Sequence, residues 1–409
     1  MYRQTHRYKA SRLLIWATFI MYVVVCFTKL NYSASIAHFV STGMFTKTQA
    51  GTISAVFYLI YAAGQFVGGK ITDKISPYTA IGIGIVGCAV ANGALCFTDN
   101  YYAVLIIWGL SAAAQFGVWP GASRIVADIL IPEHKQIGNI LIVSALAVGG
   151  FFSYSLASPI LENLGWAGIF GVSAGLLVLL MVFWVTVELK VKNAIVVHRR
   201  RISLPEGSKK LGFMALFLAS GLFIGMFLSF IQSMLDNGTK TWLPTMLGEI
   251  YHTSPAFAGV LTGSMYLINV AGMLFLATLY RRFKNEYTVY ILSYAVLIGL
   301  MTVLQFVGII PLWLVVGCFI ASTTLCYSLG NMGVRIAMAF SKYGYSATVS
   351  GLWNAMASLG VVVASYAYGA LSDKFGWSAV TVTWLCLAVA AVIIAAVTIR
   401  PWSRFKSNE

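Results

Sequence analysis

Hydrophobic runs, each near the length of about 20 residues that a helix needs to cross a bilayer's hydrocarbon core, alternate along this chain with short polar stretches. Twelve such runs can be placed, at 12–36, 49–69, 79–97, 101–131, 138–160, 166–188, 215–247, 256–280, 288–308, 311–340, 347–372 and 379–398. In lipid every backbone N–H and C=O must be satisfied within the segment, and a lone apolar run does so only as an α-helix. The pattern therefore predicts an all-α membrane protein with twelve transmembrane helices. The longest polar stretch, ELKVKNAIVVHRRRISLPEGSKK (188–210), falls between the sixth and seventh runs. It predicts an N-terminal six-helix lobe (1–188), a basic linker (189–210) and a C-terminal six-helix lobe (211–409). A basic cluster beside a membrane would also attract anionic headgroups.

Composition agrees with this solvent. Of 409 residues 59% are hydrophobic and only 10% charged, against about 25% charged in soluble domains, and the mean hydropathy is +0.83. The net charge of +15 would suggest nucleic acid in a soluble chain, but here its distribution decides. With the N-terminus inside, 21 of the 27 Lys and Arg residues fall in cytoplasmic pieces, and outside loops keep only Lys47 and Lys374. That asymmetry predicts cytoplasmic termini and an even number of spans in a plasma (inner) membrane. The basic excess is thus a topology signal, and no nucleic-acid partner is expected. The first run follows MYRQTHRYKASR without a small-residue cleavage site, so it reads as a retained helix. Six cysteines lie inside apolar runs as small core residues. No zinc spacing, P-loop or nucleophile motif is visible, so neither metal, nor cofactor, nor enzyme chemistry is expected. The expected partners are a small anion and the bilayer, and the expected state is a monomer.

An internal repeat supports the two lobes. ENLGW (162–166) and DKFGW (373–377) are offset by 211 residues. The same offset, without gaps, carries Lys29 onto Lys240, Arg124 onto Arg335 and Gly149 onto Gly360. Parallel repeats of this kind are the arrangement of two-lobed secondary transporters.

Apart from Arg12 and Glu188 at run ends, the charged residues within the runs are Lys29, Arg124, Asp128, Asp236, Lys240 and Arg335. Each costs about 2.5–3.5 kcal/mol near a helix centre on insertion scales, so such residues face a bundle interior or a watery path. Arg124 with Asp128, and Asp236 with Lys240, stand four apart on one helix and could pair locally. Arg124 and Arg335 could equally reach the interface from helix ends. Lys29 has no acid three or four residues away. With both local pairs formed, Lys29 and Arg335 remain unbalanced, a surplus that a dianionic ligand between the two lobes would neutralise, the more so in a low dielectric. Softer polar groups, among them Tyr32, Tyr58, Tyr61, Gln65, Gln115, Trp242, Asn269, Asn331 and Asn354, suit helix–helix hydrogen bonds or ligand contacts.

YAAGQFVGGKITDKISPY (61–78) resembles the loop signature of the major facilitator superfamily between the second and third spans. Gly69, Asp73 and Lys74 stand where the motif has its glycine, acid and base. The resemblance implies that this loop makes charge contacts gating the cytoplasmic side. The SPY ending, with Pro77 for the usual glycine, is similar to the variant in the organophosphate:phosphate antiporter family. FTKLNYS resembles that family's first-helix motif, with Lys29 at its phosphate-binding arginine and Asn31 at its asparagine. QFGVWPGASRI resembles its fourth-helix stretch through Gln115, Gly117, Trp119, Pro120 and Arg124, and TWLPTML and GALSDKFGW also fit. The chain departs from the family too. Aligned on Trp242, the second phosphate-binding arginine falls on Asp236, with Lys240 about one turn on. The family's second-span lysine becomes Gln65 beside a matching Tyr61, and its fifth-span histidine becomes Leu146.

These readings predict a secondary active transporter of a small organic anion working by alternating access, with a phosphate ester exchanged for phosphate as the family's case. Expected substrate contacts are Lys29, Lys240, Tyr32, Tyr61, Gln65, Trp242 and Asn354, with Arg124, Arg335 and Asp128 as path or gating charges. One alternative is a proton-coupled symporter or exporter of carboxylates or sugar acids, with Asp236 carrying the proton. Another, of a different class, is a ligand sensor that does not transport, with the basic linker as its docking site.

Overall fold

A computed structural model describes residues 2–72, 74–191, 212–283, 285–340, 343 and 345–407, and it is helical throughout. The first helices are α1 (Tyr2–Ser41), α2 (Lys47–Thr72), α3 (Pro77–Leu95) and α4 (Tyr101–Ile129). A continuous stretch Pro132–Val191 follows and is broken by Gly165, at φ 67° and ψ −165°. It is therefore two helices, α5 (132–164) and α6 (166–191). Then come α7 (Phe213–Ala219 and Leu222–Tyr251, bent by 73°), α8 (Pro255–Phe283) and α9 (Glu286–Phe306). The last are α10 (Leu312–Ala339), α11 (Ser346–Phe375) and α12 (Trp377–Ser407). Among the described residues, eight continuous helices are long and apolar enough to cross a membrane, and the bent α7 makes nine. Dividing one at Gly165 and adding α2 and α8, at 26 and 29 residues, gives the twelve expected segments.

The chain forms two compact units: Met1–Phe45 with Thr52–Arg201 and Ser254–Tyr266, and Thr46–Gly51 with Ile202–Thr253 and Leu267–Glu409. Each unit has its own core. In the first, Leu14, Met21, Ile85, Val118, Leu177 and Trp184 pack together. In the second, Tyr287, Tyr290 and Tyr294 pack beside Trp402 and Trp353. Large apolar side chains such as Val90, Leu110, Leu179 and Val382 stay exposed, as a surface solvated by lipid requires. Most of the expected linker, from residue 192 on, lies outside the described residues.

The repeat has a physical expression in each unit. Gly165 and Gly376, offset by 211 in the sequence, both adopt positive φ (67° and 76°) with ψ near 180°. This region is essentially closed to other residues, so each glycine turns the chain abruptly between two spans. Gly149 of α5 and Gly360 of α11 also act alike. A Cβ on Gly149 would lie 2.6 Å from the Val23 carbonyl of α1, and one on Gly360 would strike the Phe230 carbonyl of α7. The fifth span of each unit thus touches the backbone of its first span. Gly376→Ala is expected to cost about 1–3 kcal/mol through backbone strain alone, read as a lower Tm of the detergent-purified protein.

Candidate functional site

In the first unit, α1 carries Lys29 and α2 carries Tyr58, Tyr61 and Gln65, spaced three and four apart so that they share one helix face. The Lys29 ammonium lies 3.5 Å from the centroid of the Tyr61 ring and 5.8 Å from that of Tyr58. Cation–π attraction of this kind contributes roughly 2 kcal/mol when desolvated. No carboxylate pairs with Lys29 among the described residues, and its side chain keeps partial exposure. The rings hold the ammonium without neutralising it. Tyr61 is itself backed by a stack of rings. Phe57 lies parallel to it at 6.2 Å, Trp108 stacks on Phe57 at 4.9 Å, and Tyr32 follows at 5.7 Å from Trp108. Tyr32, an expected substrate contact, is 1% exposed and stands at the far end of that stack. Gln65 points its amide nitrogen to within 3.5 Å of the Gln115 carbonyl of α4. Asn31, two residues beyond Lys29, donates to Asn92 Oδ1 (3.1 Å) and Ser173 Oγ (2.8 Å), tying α1 to α3 and α6.

Arg124 does different work. Its guanidinium donates to the carbonyls of Thr72 and, at 3.1 Å, Ile75, while Nε stands 3.9 Å from Asp128. Thr72 ends α2 and Ile75 lies in the loop after it, and a cation there meets the negative end of the helix dipole. Arg124 therefore joins α4 to the loop that bears the expected gate motif. Gly69 lies in the last turns of α2, Lys74 is exposed in the turn after it, and Asp73 lies outside the described residues.

In the second unit, α7 contains a π turn at Met234–Gly238, a local widening often found at functional sites. Asp236 lies within it, and the Asp236 carboxylate and the Lys240 ammonium meet at 2.5 Å, 3% and 1% exposed. The Lys240 ammonium also lies 5.3 Å from the Tyr327 ring centroid. Trp242, two residues on, is fully buried and donates from its indole to the Ser365 carbonyl at 3.2 Å. Asn354 is exposed on α11. Arg335 is exposed too, its guanidinium 4.1 Å from the Tyr280 ring centroid.

Two constellations escaped the sequence reading. Buried Glu286 accepts from Tyr280 (2.9 Å), Trp402 (2.8 Å) and Lys406 (3.2 Å), so the ring beneath Arg335 is anchored to an acid. Glu286 opens α9, just outside the expected run 288–308, with Asn285 capping the helix before it. Also in the second unit, Lys47 pairs with Glu249 at 2.9 Å, Trp377 donates to Glu249 at 2.7 Å, and the Thr48 hydroxyl donates to Asp373 at 2.5 Å. These partners are separated by more than 100 residues and carry no local pattern. Among the described residues, no group of three or more His, Cys, Asp or Glu side chains could hold a metal ion.

The chain resembles known proteins as follows. The membrane sensor protein UhpC of Salmonella typhimurium is 23% identical over 177 residues, 42% of this chain and 40% of that protein. A probable hexose phosphate transport protein of Chlamydia trachomatis is 22% identical over 163 residues, 40% of this chain and 36% of that protein. The matches thus span about two fifths of these relatives' lengths. In three dimensions, a bacterial homologue of the human lysosomal transporter Spinster, solved inward-facing and unoccupied, superposes with a TM-score of 0.75 at 14% identity, covering 98% of both chains. Finally, the sequence profile of the Major Facilitator Superfamily matches residues 18–348. That match takes in most of the chain, so this protein belongs to the Major Facilitator Superfamily.

Proposed function

We propose that this integral membrane protein, which is not an enzyme, moves a small organic anion by alternating access, with the Lys29 ammonium as the principal anion contact. The observation that carries this reading is Lys29 itself. It is a cation in the body of a membrane span, framed by Tyr58 and Tyr61, with no carboxylate partner among the described residues. An intramembrane charge of this kind is costly unless it serves binding or transport. The relative named for hexose phosphate transport supports an anionic substrate. In this reading Tyr61 and Gln65 complete the contacts on α2, Tyr32 supports them through the ring stack, and Lys240, Trp242 and Asn354 are candidate substrate contacts of the second unit. Arg124 and Arg335, with Asp128, act at helix ends, and the Gly69–Lys74 loop gates. The halves 1–188 and 211–409, joined by the basic segment 189–210, alternate between the two faces of the inner membrane, with both termini in the cytoplasm.

Proteoliposome uptake of a panel of sugar phosphates, sugar acids and carboxylates tests this. Entry that requires internal phosphate or a second anion marks an exchanger. Entry driven by an inward proton gradient marks coupling through Asp236, whose buried carboxylate favours that variant. No entry of any anion overturns the transport proposal.

A sensor that binds without moving its ligand is the second reading. It is favoured by the relative named as a membrane sensor protein. Ligand binding with no counterflow would establish it.

A further inference from the structure

We propose that Arg335, in the second unit, binds the headgroup phosphate of an anionic phospholipid, with Tyr280 and Glu286 positioning its guanidinium. The inference goes beyond the transport reading and does not depend on it, since it needs only the bilayer that the spans require.

Arg335 is exposed near the end of α10. Its guanidinium lies 4.1 Å from the Tyr280 ring centroid and makes no hydrogen bond or ion pair among the described residues. The ring attracts the cation without neutralising it. The five N–H donors of the planar fork stay available, and such a fork meets a phosphate through two parallel hydrogen bonds. Tyr280 is itself held, because its hydroxyl donates to buried Glu286 at 2.9 Å. A phenol that donates to a carboxylate is polarised toward a more negative ring, which strengthens its grip on a cation. Glu286 is fixed in turn by the Trp402 indole at 2.8 Å and by Lys406 at 3.2 Å, so its charge is matched by Lys406. Arg281 and Arg282 follow Tyr280 on α8, both exposed, and add positive charge beside it. Val334 and Met338 flank Arg335 on α10 at 59% and 64% exposure. Apolar side chains this open face lipid, so the guanidinium emerges where hydrocarbon gives way to headgroups, a depth from which arginine reaches phosphate.

The internal repeat sharpens the assignment. At the offset of 211, Arg335 corresponds to Arg124, Tyr280 to Gly69 and Glu286 to Ile75. Arg124 spends its donors on the carbonyls of Thr72 and Ile75. The second unit has a ring where the first has a glycine, and a carboxylate to hold that ring where the first has an isoleucine. Its arginine rests on the ring and keeps its donors for a guest.

Thermal melts of the full chain in a neutral detergent, titrated with phosphatidylglycerol, read this site. The lipid is expected to raise the Tm saturably, and phosphatidylcholine, whose headgroup carries its own cation, is not. Arg335→Gln should weaken the titration midpoint about fivefold or more, the size of one basic charge at an anionic lipid surface. Tyr280→Leu keeps the charge but removes its support, and should weaken the midpoint too. Arg12→Gln removes an equal charge from α1 of the first unit and should leave the midpoint unchanged. If Arg335→Gln does not fold, Arg335→Lys takes its place, since lysine keeps the charge but lacks the fork and the stacking plane, and the midpoint should again weaken. No preference of wild type for phosphatidylglycerol, a midpoint unmoved by the Arg335 variant, or an equal loss in Arg12→Gln overturns the site. A midpoint unmoved by Tyr280→Leu overturns the positioning role. Stabilisation by free glycerol phosphate that disappears in the Arg335 variant would give the arginine a soluble anion as its ligand and overturn the lipid. Failure of anion uptake, by contrast, bears on the transport reading alone.

Discussion

Lys29→Gln is expected to abolish anion uptake in proteoliposomes while leaving the fold intact. A unit charge about 4 Å from an anion contributes about 4 kcal/mol at an effective dielectric near 20, so its loss should weaken binding by about a thousandfold. Stability should not fall with it. Lys29 makes no ion pair among the described residues, and removing a charge from a helix centre relieves about 2.5–3.5 kcal/mol of insertion cost. The Tyr58 and Tyr61 rings lose a cation–π partner, a smaller term of roughly 0.5–2 kcal/mol. Lys29→Arg should keep uptake, because the charge survives and the related family places an arginine there. Uptake at wild-type rates by the glutamine variant would remove Lys29 from the site.

The second large effect is on folding. Gly360→Leu is expected to prevent recovery of monodisperse protein, or to lower its Tm steeply. Any side chain there meets the Phe230 carbonyl, which is backbone of α7 and cannot rotate away. Overpacking typically costs 1–3 kcal/mol where side chains can yield, and here the two helices must separate instead. Gly149→Leu should behave alike, since its Cβ would meet both the Val23 carbonyl at 2.6 Å and the Cys26 Cβ at 2.7 Å. Gly351→Leu on the same helix as Gly360 is the control, because nothing lies within 4 Å of its Cβ direction. Gel filtration and thermal melts of the three variants check the order.

Much of the architecture is legible in the chain because the bilayer imposes its length and hydropathy on every span. The repeat is legible because so few charges occur within the spans, so Lys29 falling on Lys240 and Arg124 on Arg335 is informative; that Gly165 and Gly376 of ENLGW and DKFGW share one backbone conformation is seen only in the structure. The Asp236–Lys240 pair follows from four-residue helical spacing, and the ion pair forms. What one dimension hides is direction and distance. Nothing in the spacing tells whether Tyr32 points toward Lys29 or into a stack behind it. Arg124 takes backbone carbonyls as partners, and carbonyls leave no trace in side-chain chemistry. Glu286 sits at a span boundary, where acids are common, so its burial among Tyr280, Trp402 and Lys406 could not be foreseen. Lys47 and Glu249 lie 202 residues apart, and only tertiary structure joins them.

Direct binding measured on purified protein in detergent separates recognition from movement. Wild type should bind a labelled anion that it transports, and Lys29→Gln should show no saturable binding of it at an unchanged Tm. Equal affinity in the two proteins would contradict the account at its centre, for the anion would then be held by something other than this lysine.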